Sequence, residues 1–487
     1  MPPPPTGSGF QLTDDPTTPQ TSATIPFRSL IPSPSHPRIK GIGHHTASSW
    51  CESRKDIPEP GWLINRLDYQ NLHSVEGNEG PYKGFSTDGD PNPNIFRYGE
   101  DEGAPVHEAV KAVKVLWSKL GKRERKECRM GDVRGDERVR VWSNPELYVN
   151  PGGIRLDAPQ TSPQTQALIH DILKTSLSPE GYAKALGCTW TNAFLGELVG
   201  GKGVLNEHSY NFRLFLPESP KKSGSRSGSG SESGSKLDGK EANGVADDDD
   251  ALEDLDLLTR PWGWSFFGHH LCLNVVFVGK RMIVGPTFMG AEPDRIDIGP
   301  HAGTRLFTQE EIRGLDLMRG LSEENQRVAQ VNVDMKEGLG EGRWNPFDER
   351  HLGGARQDNR IVPFEGLPIS QMTEPQREEI WSILRAFNCY LPAKPLEARM
   401  RRLRSVQEET YFAWIGGYGL GDPYYFRIHS PMTFCEFDFH CGIFLTNTSP
   451  AKCHIHTINR LPNCEDYGKA LIAQWERENA KANGIGE

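Results

Sequence analysis

The sequence predicts an α+β fold in which one large domain, residues 80–475, packs helices on a mainly antiparallel sheet. Several segments carry apolar residues at helical spacing, and other short apolar runs are bounded by turn residues, as strands are. The predicted helices and strands also come in blocks along the chain. Blocks of one type favour α+β over the strict alternation of a parallel α/β sheet.

The helix predictions rest on apolar periodicity and on capping residues. Ser178 followed by Pro179 is typical of an N-cap and the first position of a helix. Thr308 and Glu311 have the spacing of a capping box. The predicted helices are 105–120, 162–177, one beginning after 178, 308–318, 322–331 and one beginning near 373.

The strand predictions rest on short apolar and aromatic runs between turns. Gly279 and Lys280 separate two such runs and predict a hairpin. The predicted strands are 209–216, a run from 262 through 278, 281–284, 410–415, 424–428, 433–439 and 454–458.

Two segments have compositions that do not support a packed core. Residues 1–60 are rich in Pro, Ser and Thr, which predicts a largely disordered leader. Residues 217–257 combine a Gly/Ser/Lys tract with an acidic run between two predicted strands. We therefore expect a disordered insertion that loops out of the sheet.

Composition excludes several classes of function. The net charge of −10 argues against a dedicated nucleic-acid binder. No signal peptide and no apolar run of about 18 residues is present, so the sequence predicts no membrane segment and a cytoplasmic protein. The nine cysteines lack CxxC spacing, which favours buried reduced thiols over a disulfide framework or a cysteine zinc site.

Two histidine pairs are the main candidates for chemistry. His269 and His270 are adjacent within an apolar run that reads as a strand, so we expect them on opposite faces and only one in any pocket. His454 and His456 are two residues apart, which puts both imidazoles on one strand face. That spacing suits two metal ligands on one element.

A carboxylate can complete such a set. Glu436 lies on a predicted strand beside that of His454 and His456, and two imidazoles with a carboxylate are a minimal site for a divalent transition metal. Iron, copper, manganese and zinc all remain open. Hydrogen-bonded or solvated histidines without a metal are the alternative interpretation.

Three further residues are candidates for holding a substrate. Arg427 and His429 lie on the preceding predicted strand, and Arg460 follows the second histidine pair. Guanidinium groups bind carboxylates and phosphates, which predicts a small anionic substrate.

The sequence thus favours a metal-dependent enzyme acting on a small anionic molecule, with a leaning towards oxidoreductase chemistry. A zinc-dependent hydrolase and a non-catalytic small-molecule binding protein are the alternatives. The sequence contains no P-loop, Gly-x-Ser-x-Gly elbow or His-Glu-x-x-His motif. The oligomeric state is left open.

The chain resembles the domain of unknown function 3500 family over roughly residues 80–475. The resemblance implies that both histidine pairs belong to one domain-sized unit, and it implies no activity. The matching motifs are 84–89, 142–144, 175–182, 261–264, 268–274, 286–293, 426–429 and 454–456, followed by Arg460, Asp466, Tyr467 and Gly468.

Overall fold

The structure is a computed structural model that describes residues 26–53, 81–142, 144, 152–218, 252, 255–340, 343 and 348–484. These residues contain ten α-helices and a twelve-stranded sheet. The helices are α1 Ala47–Ser53, α2 Val106–Lys119, α3 Lys122–Cys128, α4 Pro163–Ser176, α5 Pro179–Leu198, α6 Thr308–Gly320, α7 Glu323–Ala329, α8 Glu374–Phe387, α9 Ala393–Arg404 and α10 Lys469–Ala482.

The strands form one mixed sheet in the order β1-β3-β4-β5-β6-β12-β11-β10-β9-β7, with β2 beside β3 and β8 beside β9. Only the two short edge pairings, β1 with β3 and β7 with β9, are parallel among the described strands. This confirms the α+β prediction. The strands are β1 Arg129–Met130, β2 Ile154–Arg155, β3 Tyr210–Phe215, β4 Trp262–Gly268, β5 Leu271–Val278, β6 Arg281–Ala291, β7 Gln330–Asn332, β8 Leu367–Pro368, β9 Tyr411–Gly416, β10 Tyr424–Ser430, β11 Thr433–Phe439 and β12 Ile455–Arg460.

The local signals place most elements correctly. Ser178 caps α5 through the N–H of Gly181, and Thr373 opens α8 with a capping box. The hairpin between β5 and β6 turns at Gly279 as predicted. The helix predicted from Thr308 is present, but its N-cap is Phe307, so the predicted capping box is wrong.

The central strands have one apolar face and one polar face. Phe426 of β10 stacks on Phe437 of β11. Gly314 of α6 lies so close to the Phe426 ring that a Cβ at this position would clash with it. The opposite face of the same strands carries Arg427, Glu436 and other ionisable side chains, all buried. Strand alternation therefore collects the ionisable groups on one face, which we call the polar face.

The prediction of a disordered leader is wrong for residues 26–53. Phe27, Ile39, Ile42 and Trp50 are buried in a cluster with side chains of α5 and of residues 443–445. Residues 1–25 and 54–60 lie outside the described residues. Part of the predicted leader therefore belongs to the folded body.

The predicted insertion also needs a correction at its C-terminal end. Leu252, Leu255 and Leu257 are buried in the main core. Residues 219–251 lie outside the described residues, so the prediction for them stays a prediction. Among the described helices, none combines the length and apolar character needed to cross a membrane.

Candidate metal centre

The C-terminal strand supplies two imidazoles on the polar face. His456 lies in β12 opposite Asp438 of β11, and His454 immediately precedes the strand. Both side chains are buried, at 0% and 2% exposure for His454 and His456. The two-residue spacing therefore works as predicted and aims both rings the same way.

The other histidine pair lies in a turn. His269 and His270 are the two residues that join β4 to β5, because Gly268 still pairs with Leu271. The expected strand with two opposite faces is therefore wrong here. His270 has a left-handed backbone with φ of 61°, which is uncommon for a residue with a Cβ and is concentrated at functional sites.

The turn brings His270 to the C-terminal pair. Its Nε2 lies 3.2 Å from Nε2 of His454 and 3.2 Å from Nε2 of His456, and the latter two atoms are 3.0 Å apart. Three imidazole nitrogens thus form a nearly equilateral triangle. We call these three residues the histidine trio.

The partners of the other ring nitrogens define the tautomers. Nδ1 of His454 lies 2.6 Å from the carbonyl oxygen of Cys441, which can only accept, so this nitrogen donates. Nδ1 of His456 lies 2.9 Å from the carboxylate of Asp348 and donates in the same way. With the hydrogen on Nδ1, the imidazole form of each ring presents a bare lone pair at Nε2. Lone pairs 3.0 Å apart repel each other, and a cation between them satisfies both.

Burial keeps His270 and His456 in the form that binds metals. Loss of hydration holds the pKa of His270 well below its usual value, and the neighbouring His269 and His454 lower it further. Burial also holds the pKa of His456 well below its usual value, with His440 and His454 adding to the shift. These rings therefore stay neutral, as metal coordination requires.

A buried carboxylate holds the loop behind His454. Glu292 accepts hydrogen bonds from the backbone N–H groups of Ile443, Phe444 and Leu445 at 2.9–3.1 Å. Its Oε1 lies 3.9 Å from Nδ1 of His454. The loop held in this way is the one that presents the Cys441 carbonyl to His454.

Gly290 of β6 forms the floor of the trio. A Cβ at this position would lie 2.8 Å from Cδ2 of His270 and 3.1 Å from Cδ2 of His456. Its N–H also donates to the carbonyl of His270 at 2.9 Å. Glycine lets the strand approach both ligands closely.

His269 does not join the trio. Its Nδ1 donates to Oδ1 of Asn192 at 2.9 Å, and its ring stacks on that of His270 with centroids 3.8 Å apart. Burial lowers the pKa of His269 to about 3, with a smaller effect from His454. The structure thus selects His270 as the candidate ligand and His269 as its support.

Glu436 does not reach the trio either. Its carboxylate accepts from the hydroxyl of Tyr425 at 2.6 Å and from the N–H groups of Leu352 and Gly353 at 2.9 and 2.8 Å. The same carboxylate lies 3.5 Å from Nδ1 of His351. The register pairs Glu436 with Ile458, two residues beyond His456. It therefore serves a different histidine from the one predicted.

Two residues of this region were not singled out from the sequence. Asp348 orients His456, and His351 lies between Glu436 and Asp438 on the polar face. Both belong to a loop without periodic spacing, and the Asp-x-x-His pattern there was the only available signal.

Two other groups of possible ligands are less suited to a metal ion. Asp348, His351 and His456 lie close together, but Asp348 accepts from Nδ1 of His456. Glu349, Asp438 and His440 form another group, and the guanidinium of Arg350 already binds both of its carboxylates. A cation there would meet an existing positive charge.

The structure does not bring the predicted substrate-binding residues to the trio. Arg427 pairs with Glu365, and Arg460 pairs with Asp358 and Asp466 in a buried network. His429 is buried against aromatic rings, and neither of its ring nitrogens has a hydrogen-bond partner among the residues that the structure describes. Their role towards a substrate stays a prediction.

The family model described as Protein of unknown function (DUF3500) matches residues 102–227 and 254–469. The gap between the two matched segments falls inside the predicted insertion, and the trio lies inside the second segment. No curated protein and no solved structure matches the chain. Since the matched segments cover most of the sequence, the chain belongs to the domain of unknown function 3500 family.

Proposed function

We propose that this protein is a metal-dependent oxidoreductase in which His270, His454 and His456 hold one divalent transition metal. Iron or manganese is the favoured metal, dioxygen is the oxidant, and the substrate is a small anionic molecule. The proposal rests on the convergence of three imidazole Nε2 atoms within 3.2 Å of one another.

The size of that triangle favours one coordination geometry. If a metal lay about 2.1 Å from each nitrogen, nitrogen–nitrogen distances of 3.0–3.2 Å would give nitrogen–metal–nitrogen angles of roughly 90–100°. Such angles are closer to the roughly 90° of an octahedral face than to the roughly 109° of a tetrahedron. Three protein ligands on one octahedral face leave the other three positions for substrate and dioxygen, as in non-haem iron oxygenases.

A zinc-dependent hydrolase is the second candidate. Three imidazoles without a carboxylate give a dication bound only by neutral ligands, which strongly lowers the pKa of a bound water. The two candidates differ in the metal that they retain. A non-catalytic binding protein is the third possibility and predicts no stoichiometric metal.

The chemical setting that we propose is a reducing, cytoplasmic one. The eight cysteines whose side chains the structure describes are all free thiols, and six of them are buried. Such usage is typical of intracellular proteins.

The test is reconstitution of metal-free protein with iron(II), manganese(II), copper(II) and zinc(II), followed by elemental analysis. We expect one equivalent of iron or manganese, and an iron(II)–nitrosyl electron paramagnetic resonance signal with nitric oxide as a surrogate for dioxygen. His454→Ala with His456→Ala should abolish both, whereas His107→Ala, a change at an exposed histidine, should keep the metal. Stoichiometric zinc alone would favour the hydrolase, and no metal in the wild type would contradict both proposals.

A further inference from the structure

We infer that the substrate binds this metal through two oxygen atoms at once, as an anionic chelator such as an α-hydroxy acid, an α-keto acid or a catecholate. The inference rests on the proposed metal centre and adds the class of substrate to it.

The first step is the number of ligands that the protein supplies. Within the part of the chain that the structure describes, no fourth His, Cys, Asp or Glu joins the trio as a potential ligand. The carboxylate of Asp348 is bound to the Nδ1 side of His456, away from the metal-facing nitrogen. An octahedral metal at the trio therefore has three positions to be filled by small molecules.

The second step is the arrangement of those positions. Because the trio occupies one face, the other three positions are all adjacent to one another. A ligand with oxygen atoms on neighbouring carbons spans two adjacent positions in a five-membered ring. The third position then remains beside the bound substrate, where dioxygen can coordinate.

The third step is charge. Imidazole ligands add no negative charge to the metal, and all three side chains are at least 98% buried, so a bare dication here would carry a large desolvation cost. The two carboxylates behind the ligands, Asp348 and Glu292, lie on the Nδ1 sides of His456 and His454, one imidazole ring away from the metal-facing nitrogens, so they offset a dication's charge only at longer range. An anionic oxygen bound directly to the metal offsets the remaining charge.

These steps predict a preference that a simple anion site would not show. A site that recognises charge alone binds propionate as well as lactate, because both carry one carboxylate. A facial metal binds lactate better because its hydroxyl fills a second position without a second loss of translational entropy. Catechol and phenol form a second pair that differs in the same way.

The experiment uses the full chain loaded with cobalt(II), whose visible spectrum reports changes in its ligands. Lactate is compared with propionate, and catechol with phenol. We expect the first member of each pair to shift the spectrum at a concentration at least about tenfold lower than the second member requires. His454→Ala should show no shift, and His107→Ala, a change at an exposed histidine of α2, should behave as the wild type.

The possible outcomes test the metal centre and the chelating substrate separately. If cobalt binds and neither pair is distinguished, the chelating substrate is wrong while the metal centre stands. If cobalt does not bind at all, the metal centre itself is wrong. Calorimetric titration of metal-free protein with the same anions is the control: if they bind it equally well, their site is elsewhere and the inference is again overturned.

Discussion

The two histidine pairs of this protein differ in their spacing, and the structure places them in different backbone contexts. His454 and His456 direct both rings to one point, because residues two apart on an extended chain share a face. His269 and His270 occupy a two-residue turn, where only His270 reaches that point and His269 stacks behind it. On a strand, a spacing of two residues reliably predicts that two side chains share a face. For adjacent histidines, the direction of each ring depends on the local backbone, here a turn that the sequence did not reveal.

The largest expected effect tests this comparison through stability. Metal at about a thousand times its Kd stabilises a folded protein by about 4 kcal/mol if the unfolded chain does not bind it. A chelator should therefore lower the melting temperature of the wild type and of His269→Ala. It should leave the melting temperature of His270→Ala, and of the double variant at positions 454 and 456, unchanged. A chelator response in His270→Ala equal to that of the wild type would show that the turn contributes no ligand.

The floor of the site provides a second, smaller test. Gly290→Ala would place a methyl group within 3.1 Å of His270 and His456 and 2.8 Å from the backbone oxygen of Ile455, so a ring or the strand that carries His456 must shift. We expect metal affinity to fall by roughly tenfold to a hundredfold, the range that altered ligand support produces in other metal sites.

Gly320→Ala is the matched control for this substitution. Its Cβ would meet nothing within 4 Å at the end of α6, so neither stability nor metal affinity should fall. Isothermal titration with the metal measures both variants. Equal affinities would mean that the floor does not hold the ligands in place.

Much of this architecture was predictable, and the failures have physical causes. The capping and periodic signals place α5 and α8, and the trio residues all come from the two predicted pairs. Glu436 has the predicted face, but the register of β11 on β12 sets it opposite Ile458 rather than His456. Register depends on contacts between strands distant in sequence, so a single strand pattern does not reveal it.

The loop and leader residues were missed for a different reason. Asp348 and His351 lie in an irregular loop, which has no periodic pattern from which buried side chains could be predicted. Phe27 and Trp50 are isolated apolar residues in a Pro- and Ser-rich segment, yet both are buried against the body. The average composition of a segment does not reveal single apolar residues that pack against the folded body.

A third prediction contrasts a proton-binding histidine with the metal-binding trio. Burial by itself lowers the pKa of His351, but Asp348 and Glu436 outweigh burial and raise the pKa to about 9. The folded pKa thus exceeds the unfolded value of about 6.5. The stability that the proton supplies is complete below about pH 6.5 and is lost as the pH rises towards 9.

Urea unfolding of metal-free protein between pH 6 and 9.5 measures this effect. The wild type should lose stability across that interval more steeply than His351→Gln, which cannot take up the proton. His107→Gln, a change at an exposed histidine, should follow the wild type. Parallel curves for the wild type and His351→Gln would show that His351 is not the protonated histidine of the polar face.

The smallest expected effect concerns the insertion between β3 and β4. These strands pair directly, with Phe215 opposite Gly263, so the connection needs only to close a hairpin. Closing a flexible loop costs only about 0.6 kcal/mol more for each doubling of its length. Replacing residues 219–251 with a short Gly-Ser link should therefore change the free energy of unfolding by about 1 kcal/mol or less and leave metal binding intact.

Extending the deletion through Leu257 removes three buried leucines and should cost several times more, at about 2–5 kcal/mol for each large apolar side chain lost. Equal stability of the two deletions would show that these leucines do not anchor the end of the insertion.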